Sequence, residues 1–496
     1  MNAWPSETLV LLALSLPALG AVGIAIASRI PNLREAVTLT VAAANFVVVM
    51  TLLTRVLDGE RPAAGGWEVF GGIEIAFLVE PLGMLFACVA ATLWIVNSIY
   101  SIGYMRANDE PRQTPFYMCF AVAIAAAIGI AFSGNLLTLF LFYEVLTVST
   151  YPLVTHKGTD EAMAKGRIYL LLLMATSMML LLPAIIWTWV AAGTVSFAPG
   201  GILASAGLPV GAVAVLLALY IFGIGKAAVM PVHFWLPAAM VAPTPVSALL
   251  HAVAVVKAGV FTVVKVVVYV FGVDFLATSG AGDWLTYVAG FTVVTASVIA
   301  LRQDNLKKRL AYSTISQLSY VVLATAILTP ISIIGAVMHI AAHAVSKITL
   351  FFAAGSIYTA AHLTEVSQLD GIGRRMPWTM GAFAIGALSM IGVPPTAGFL
   401  SKWFMLSGGM AAENWVAVGV IFVSTSLNAS YFLPIVYRAF FRTPPAPATG
   451  HEAHGEGPFP VVLALTITAF TTLAMFFFPD IPFALAEALV GQEVTK

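Results

Sequence analysis

Charged residues are scarce in this sequence. Only 9% of its 496 residues are Asp, Glu, Lys or Arg, whereas 60% are hydrophobic. A soluble domain carries about 25% charged residues, because a folded chain in water needs a polar exterior. The composition therefore excludes an ordinary soluble protein and predicts one embedded in a membrane. The 23 basic and 23 acidic residues balance each other, so the charge gives no indication of a nucleic-acid partner.

Cysteine is almost absent too. Cys88 and Cys119 lie in apolar stretches, and we expect them to be buried as small hydrophobic residues, with no disulfide framework and no metal site. The sequence has neither a dinucleotide-binding glycine fingerprint nor a cysteine cluster for iron–sulfur chemistry. It also lacks a basic leader before its first apolar segment, which we interpret as a retained helix rather than a signal peptide. These absences predict a transporter subunit without cofactor or metal, and not an enzyme by itself.

Long apolar runs are what the sequence has in abundance. A helix needs about 20 apolar residues to cross a bilayer. Fourteen segments meet this requirement, so the sequence predicts an all-α polytopic membrane protein. The predicted spans are 8–28, 35–55, 82–103, 116–133, 135–154, 166–191, 209–229, 244–271, 285–301, 310–328, 331–358, 377–409, 413–437 and 458–478.

Basic residues between these spans predict the orientation of the chain, because Lys and Arg concentrate in cytoplasmic loops. Alternate loops hold nearly all of them, and the opposite side has only Arg55, Arg61 and Lys496. We therefore expect both termini on the periplasmic side of a bacterial inner membrane. The basic loops carry Arg29, Arg34, Arg106, Arg112, Lys157, Lys165, Arg167, Arg302, Lys307, Lys308, Arg309, Arg374, Arg375, Arg438 and Arg442.

Five lysines remain inside the apolar spans. A lysine at the centre of a membrane helix costs about 2.5–3.5 kcal/mol, so such residues tend to line ion or proton paths. These lysines are Lys226, Lys257, Lys265, Lys347 and Lys402.

The fifth and seventh spans offer an opposite-charge pair. Glu144 lies close to the middle of the fifth span, and Lys226 lies near the end of the seventh, where glycines and prolines predict an interrupted helix. A carboxylate beside a lysine favours its charged form, whereas separation exposes the lysine to desolvation and favours proton release. We expect Glu144 and Lys226 to form a switch; a purely structural ion pair is the alternative.

The eighth span carries three titratable residues. His251 and Lys257 are six residues apart, so they lie about 9 Å apart along the helix on different faces. This spacing favours a relay through water over a direct hydrogen bond. Lys265 lies nearer an end of the span, and we expect it to extend toward the membrane surface.

The eleventh span places His339, His343 and Lys347 at intervals of four residues, which lines them along one helix face. Two histidines and a lysine on one stripe in a membrane predict a proton relay. In the twelfth span, Pro394 and Pro395 remove two backbone donors ahead of Lys402. This helix should therefore be broken, as the seventh should be.

The two interrupted helices, five spans apart, predict a pair of inverted repeats. The predicted division is residues 1–115 for the first three helices, 116–271 and 285–440 for the repeats, and 441–496 for a cytoplasmic loop, the last helix and a tail. In that loop His451, Glu452, His454 and Glu456 are interpreted as a flexible, solvated stretch rather than a metal site.

Several of these segments strongly resemble the antiporter-like family. Its members include large subunits of multisubunit cation/proton antiporters and proton-pumping membrane subunits of respiratory complex I and membrane-bound hydrogenases. The resemblance is carried by FYEVLTVSTYPLV, GKAAVMPVHFWLPAAMVAPTPVSALLHAVAVVKAGVF, LKKRLAYSTISQLSYV, HAVSKITLFFAAGSI and GVPPTAGFLSKWF. It implies fourteen helices, two inverted five-helix repeats, broken helices 7 and 12, and a central hydrophilic axis.

The resemblance also assigns roles residue by residue. It implies that Glu144 is the fifth-helix glutamate, Lys226 its seventh-helix partner and Lys257 the central lysine. Lys347 falls in the helix-11 relay, and Lys402 is the terminal residue of helix 12. Lysine at that last position, and the short stretch after the last span, favour a D-type subunit of a multisubunit Na+/H+ antiporter.

Other functions remain open at this point. The main alternative is a non-redox, proton-pumping subunit of a complex I-type NADH:quinone oxidoreductase or a hydrogenase. A single-chain solute permease and a partner of a bicarbonate-uptake protein fit the sequence less well. In the favoured interpretation, the chain works with other membrane subunits, and its substrates are protons and Na+.

Overall fold

The computed structural model describes residues 4–443 and 455–494. Helices dominate, since a segment in hydrocarbon must satisfy its backbone hydrogen bonds internally. The main helices, in chain order, are α1 (Ser6–Ile26), α2 (Pro31–Leu57), α3 (Pro81–Ala107), α4 (Gln113–Ala131), α5 (Leu136–Val154), α6 (Asp160–Ala192), α7 (Val210–Gly223), α8 (Thr244–Phe271), α9 (Asp283–Arg302), α10 (Leu306–Ala326), α11 (Pro330–Ala361), α12 (Pro377–Ile391, continued by Ala397–Ala411), α13 (Trp415–Phe441), α14 (Phe459–Phe477) and α15 (Asp480–Val494).

The helices α1 to α14 coincide with the fourteen predicted spans. Within the described residues, 11 helices are long and apolar enough to cross a membrane. Two more, α7 and the first half of α12, are apolar but shorter. These helices confirm the prediction of an all-α polytopic membrane protein. The number of crossings and the two inverted repeats stay predictions.

Both predicted helix interruptions are present. Helix α7 ends at Gly223, and a single 3-10 turn, Gly225–Ala227, follows it. Helix α12 stops at Ile391, where Gly392 has a φ of +92°, a conformation that side chains other than glycine rarely adopt. The chain resumes its helix at Ala397. The irregular backbone Gly225–Ala227 is buried, whereas residues 393–395 of the α12 interruption are exposed.

Helix α8 forms the centre of the molecule. All of its 28 residues are buried. Two stretches of it, Leu249–Val253 and Val267–Phe271, are wound as π-helix, and His251 lies in the first. Such π-helical turns are frequent at functional sites. The chain thus encloses the helix that carries the predicted site residues His251 and Lys257.

Several elements lie outside the predicted spans, among them a hairpin and the helix after α14. An antiparallel hairpin pairs β1 (Ala63–Phe70) with β2 (Ile73–Leu78) in the connection between α2 and α3. Helix α15 follows α14 directly. Both were treated as loop or tail because neither has the length and hydropathy of a membrane span.

The loop before α14 is only partly described. His451, Glu452 and His454 lie outside the described residues. Glu456 accepts hydrogen bonds from the Trp378 N–H (2.7 Å) and the Thr379 hydroxyl (2.6 Å) at the start of α12. The prediction of a solvated stretch is therefore wrong at Glu456, because the free N–H groups of a helix N-terminus attract a carboxylate.

Candidate functional site

The predicted basic residues all lie inside the protein. Their relative exposures range from 0% to 6%, which means that their polar atoms must find partners within the fold. The residues are Lys226, His251, Lys257, His339, His343, Lys347 and Lys402.

Lys226 binds the side of α5 from the interruption after α7. Its Nζ donates hydrogen bonds to the Tyr143 carbonyl oxygen (2.8 Å) and to the Thr147 hydroxyl (2.6 Å). The same ammonium group lies 3.1 Å from the centre of the Tyr143 ring. Carbonyl, hydroxyl and aromatic face all favour a cation.

Glu144 lies next to Tyr143 on α5, but it does not contact Lys226 directly. No ion pair within 4.0 Å joins the two among the described residues, and both buried carboxylate oxygens of Glu144 lack a hydrogen-bond partner there. The predicted switch between Glu144 and Lys226 includes a separated state, so it stays a prediction. Lys226 is held by a carbonyl and a hydroxyl oxygen, while the neighbouring carboxylate of Glu144 has no hydrogen-bond partner among the described residues. A second conformation, in which Lys226 pairs with Glu144, is therefore open to this lysine.

Lys257 and His343 form the closest contact of the site. The Lys257 Nζ lies 2.5 Å from the His343 Nδ1. Two positive charges at this distance in a low-dielectric interior would repel each other strongly. The amine and the imidazole are therefore not both charged, and one nitrogen donates the hydrogen bond that the other accepts. The sequence did not predict this contact, because His343 is on α11 and Lys257 on α8.

His339 continues the arrangement toward α12. Its ring lies 5.9 Å from the His343 ring. Its Nδ1 is 2.8 Å from the Ser401 hydroxyl, and its Nε2 is 3.1 Å from the side-chain oxygen of Gln317. The Gln317 amide nitrogen donates to the Met390 carbonyl oxygen (3.3 Å), so its oxygen faces His339 and accepts from Nε2.

Lys402 meets this chain of contacts at the interruption of α12. Its Nζ donates to the carbonyl oxygens of Met390 (2.7 Å) and Ile391 (3.1 Å). These carbonyls end the first half of α12, where the helix dipole concentrates negative partial charge. The broken helix thus supplies the counter-charge that lets a buried lysine stay at this depth.

Lys347 reaches the same carbonyl by a second branch. Its Nζ donates to the Ser313 hydroxyl (2.9 Å), which lies 3.1 Å from the Tyr431 hydroxyl. Tyr431 donates to the side-chain oxygen of Asn428, whose amide nitrogen donates to the Met390 carbonyl oxygen (3.4 Å). The predicted stripe on α11 therefore divides: the histidines face Gln317 and Ser401, whereas the lysine faces Ser313.

His251 stands apart from these contacts. It is fully buried, its ring lies 4.8 Å from the Phe351 ring, and neither ring nitrogen has a partner among the described residues. No hydrogen bond between described residues links His251 or Lys226 to Lys257. The structure therefore brings together the α8, α11 and α12 residues, and leaves Lys226 and His251 separate from them.

Lys265 does not reach the membrane surface. It is fully buried and forms an ion pair with Glu80 (3.0 Å), just before α3. Its Nζ also donates to the Ser133 carbonyl oxygen (2.7 Å). The predicted extension to the surface is wrong, because a buried carboxylate and a carbonyl provide the charged partners that it needs inside.

Four further polar side chains complete the site, and no motif in the sequence predicts a role for them. Gln317 and Ser313 lie on α10, and Asn428 and Tyr431 lie on α13. In the described residues, no group of three or more His, Cys, Asp or Glu side chains is arranged to hold a metal ion.

Comparison with known proteins identifies the relatives of this chain. Residues 133–428 match the family described as NADH:quinone oxidoreductase/Mrp antiporter, transmembrane. The chain is 32% identical over 435 residues to NADH-quinone oxidoreductase subunit N of Desulforudis audaxviator, which covers 86% of this chain and 83% of that protein. It is 30% identical over 448 residues to a Na+/H+ antiporter protein of Alkalihalophilus pseudofirmus. That match covers 84% of this chain but 54% of the relative, so the chain spans about half the length of that antiporter protein.

The fold is shared with a solved membrane complex. A chain of the Mrp complex from Dietzia superposes with a TM-score of 0.87 at 22% sequence identity, covering 99% of this chain and 98% of that one. This likeness concerns the fold, whereas the family follows from the sequence matches. The chain belongs to the NADH:quinone oxidoreductase/Mrp antiporter family of transmembrane proteins.

Proposed function

We propose that this chain translocates protons as a membrane subunit of a multisubunit monovalent cation (Na+)/proton antiporter. The contact between Lys257 and His343 carries the proposal. A proton that passes from one of these hydrogen-bonded nitrogens to the other needs little rearrangement of either side chain. Two buried branches of hydrogen bonds, one through Gln317 and one through Ser313, run from α11 to the Met390 carbonyl oxygen, which also accepts from Lys402. This oxygen has no proton to pass on, so the branches position the titratable groups and water carries the proton to Lys402.

Lys226 and Glu144 would gate the transfer in this proposal. Lys226 rests on the Tyr143 carbonyl oxygen, and Glu144 has no partner of its own in the described residues. Movement of Lys226 toward Glu144 would exchange a neutral environment for an ionic one and so change the affinity of the amine for a proton. Moving one charge through 100 mV involves about 2.3 kcal/mol, which burial and a moving counter-ion can supply.

The remaining steps of the path depend on water. His251 is buried with two unpartnered nitrogens, and buried polar groups require hydrogen bonds. A half-channel from each membrane face, one reaching His251 and Lys257 and the other Lys402, would provide them. This proposal includes inverted repeats at 116–271 and 285–440, because each would contribute one broken helix with one lysine.

Two substitutions test the gate. We expect Lys226→Ala and Glu144→Ala each to abolish cation-driven proton transport in membrane vesicles, while the assembled complex is recovered at the normal level. Arg374→Gln, which removes an exposed basic residue outside the path, serves as the control and should transport normally. Retained transport in both gate variants would refute the roles given to these residues.

A redox-linked function is the second candidate. The 32% identity to an NADH-quinone oxidoreductase subunit N over 83% of its length favours it. In either case we expect other membrane subunits as partners. Purification of the intact complex separates the candidates: an antiporter should contain no flavin or iron–sulfur subunits and should exchange Na+ for protons. Proton transport that requires an electron donor would favour the redox complex instead.

The proposed site is in a bacterial inner membrane, with both termini on the periplasmic side. The alternation of basic loops supports this orientation. Cysteine labelling tests it, with Arg374→Cys expected to react only with a membrane-permeant thiol reagent. Reaction with an impermeant reagent added from outside would show that the chain has the opposite orientation.

A further inference from the structure

One large cavity is lined by Thr244 at the start of α8, the helix that carries His251. It has a volume of about 720 Å³ and lies between the start of α6, the start of α10 and the segment before α8. This volume is within the range of about 300–1,000 Å³ that is typical of small-molecule pockets. The cavity opens at the end of the molecule where the basic loops lie.

The charge around this cavity is strongly positive. Four lysines line it, Lys157, Lys165, Lys307 and Lys308, against a single carboxylate, Glu161. Lys307 donates to the Ala242 carbonyl oxygen (2.5 Å). The ammonium groups of the other three donate no hydrogen bond within the described residues, so they are available to an anion.

Two helix N-termini add to this positive potential. Helix α6 begins after Thr159 and helix α10 after Asn305, and both of these capping residues line the cavity. Helix N-termini carry positive partial charge and favour anions. The lysines and the two helix ends therefore act in the same direction.

The nearest carboxylate beyond the lining does not cancel the charge. Glu110, in the loop between α3 and α4, interacts with Lys157 and Lys307. Burial raises the pKa of the Glu110 carboxyl, and the two lysines oppose this rise. Burial lowers the pKa of the Lys307 amine to about 7, so part of its charge is lost near neutral pH. Even with Lys307 neutral and both Glu110 and Glu161 ionised, the other three lysines leave a positive excess.

One side of the cavity is apolar and exposed. Phe234 and Ile168 line it with relative exposures of 57% and 41%. Large exposed apolar side chains on a membrane-spanning protein meet hydrocarbon chains more favourably than water. A ligand that fits this site must therefore combine an anionic head with a hydrocarbon tail.

We propose that this cavity binds the headgroup of an anionic phospholipid, with its phosphate among the lysines and its acyl chains against Ile168 and Phe234. Basic pockets between membrane helices on the cytoplasmic side are suited to such headgroups. The site would anchor the start of α6 to that of α10 across the opening. It does not depend on the proposed transport function.

Lipid binding to the purified complex tests this proposal. We would remove bound lipid with detergent and then titrate with phosphatidylglycerol, phosphatidylcholine or inorganic phosphate, followed by native mass spectrometry. Phosphatidylglycerol should bind this site, whereas phosphatidylcholine and inorganic phosphate should each bind at least about tenfold more weakly. Equal binding of phosphatidylcholine would contradict an anionic headgroup site, and equal binding of inorganic phosphate would contradict a role for the acyl chains.

Charge variants locate the site. Lys157→Gln combined with Lys308→Gln should weaken phosphatidylglycerol binding about 30-fold. Each lysine near a lipid surface raises the binding affinity about fivefold, and the two effects multiply. The pair Lys157→Arg and Lys308→Arg should preserve binding, and Arg302→Gln with Arg374→Gln, outside the cavity, should leave it unchanged. Unchanged binding in the lysine-to-glutamine variant, or equal loss in the control, would overturn the proposal, as would a partner protein found in the cavity of the complex.

Discussion

Lys265 illustrates how this protein keeps charge in its interior. Its ammonium group is fully buried and lies 3.0 Å from a carboxylate oxygen of Glu80. Removing two charges from water costs several kcal/mol for each ion, and their attraction offsets this cost only in good geometry. The Ser133 carbonyl oxygen provides a further hydrogen bond. Unlike the lysines of the proposed path, Lys265 has a carboxylate in direct contact, which favours a structural role.

A double-mutant cycle tests that role. We expect Glu80→Gln and Lys265→Met each to destabilise the protein by about 3–5 kcal/mol, because each leaves one buried charge without its partner. The double variant should be more stable than the sum of the single changes predicts. Thermal unfolding of the purified complex measures these differences; strictly additive losses would mean that the two charges do not stabilise each other.

Sequence reasoning identified the buried lysines but not their partners. Charged residues are rare in the apolar spans, because burying a charge there costs free energy. Lysines within the spans are therefore easy to identify from the sequence, among them Lys226, Lys257, Lys347 and Lys402. Partner choice depends on contacts between helices that are far apart in the chain. The Lys257–His343 contact and the Glu80–Lys265 pair both join different helices or connections, so spacing along one helix could not predict either of them.

At the scale of elements, the interruptions determine where the charges lie. Helix α8 passes very close to the turn that carries Lys226. A Cβ atom at Gly259 would lie 2.3 Å from the Ala227 nitrogen and 2.3 Å from the Lys226 carbonyl carbon. Only glycine allows this approach without moving backbone. The approach sets the position of Lys226 relative to Lys257, two residues away from Gly259.

This close approach gives a second prediction. Gly259→Ala should lower the melting temperature and reduce proton transport, because overpacking of a buried contact costs about 1–3 kcal/mol. Gly381→Ala is a matched control, since a Cβ there has open space and the residue lies within helix α12. The control should be neutral or slightly stabilising. A Gly259→Ala protein with normal stability and transport would exclude a requirement for this contact.

Most elements follow from hydropathy, and the exceptions have physical causes. Apolar length predicted the spans, and the glycine and proline residues predicted both interruptions. The hairpin Ala63–Phe70 with Ile73–Leu78 and the helix Asp480–Val494 were missed, because hydropathy over a membrane-length window does not detect short elements outside the spans. The π-helical turns of α8 were also missed, since the difference between α- and π-helix depends on packing around the helix.

At the scale of the whole molecule, the buried polar residues form two branches that meet at one carbonyl. The Met390 carbonyl oxygen accepts from Lys402, Gln317 and Asn428. A change in the protonation of either branch therefore alters the environment of Lys402. This convergence offers a physical route for coupling α11 to the broken helix α12. In the proposed arrangement, α12 belongs to the second repeat and Lys226 to the first.

The branches can be tested separately. Gln317→Leu removes the link between His339 and the Met390 carbonyl oxygen, and Ser313→Ala removes the acceptor of Lys347. If both branches position the groups between which protons move, each variant should slow transport several-fold and the double variant should abolish it. Transport rates of the reconstituted complex decide this; full activity of the double variant would exclude both branches from the transport mechanism.

Proton movement through the reconstituted complex with Lys257→Met measures the central claim most directly. Methionine keeps the apolar volume of lysine but has no proton to share with His343. With a pH-sensitive dye inside the vesicles, and an imposed Na+ gradient or the electron donor of a redox complex as driving force, we expect no proton transport. The variant complex should still assemble and keep its melting temperature. Normal proton transport by that intact complex would contradict the account.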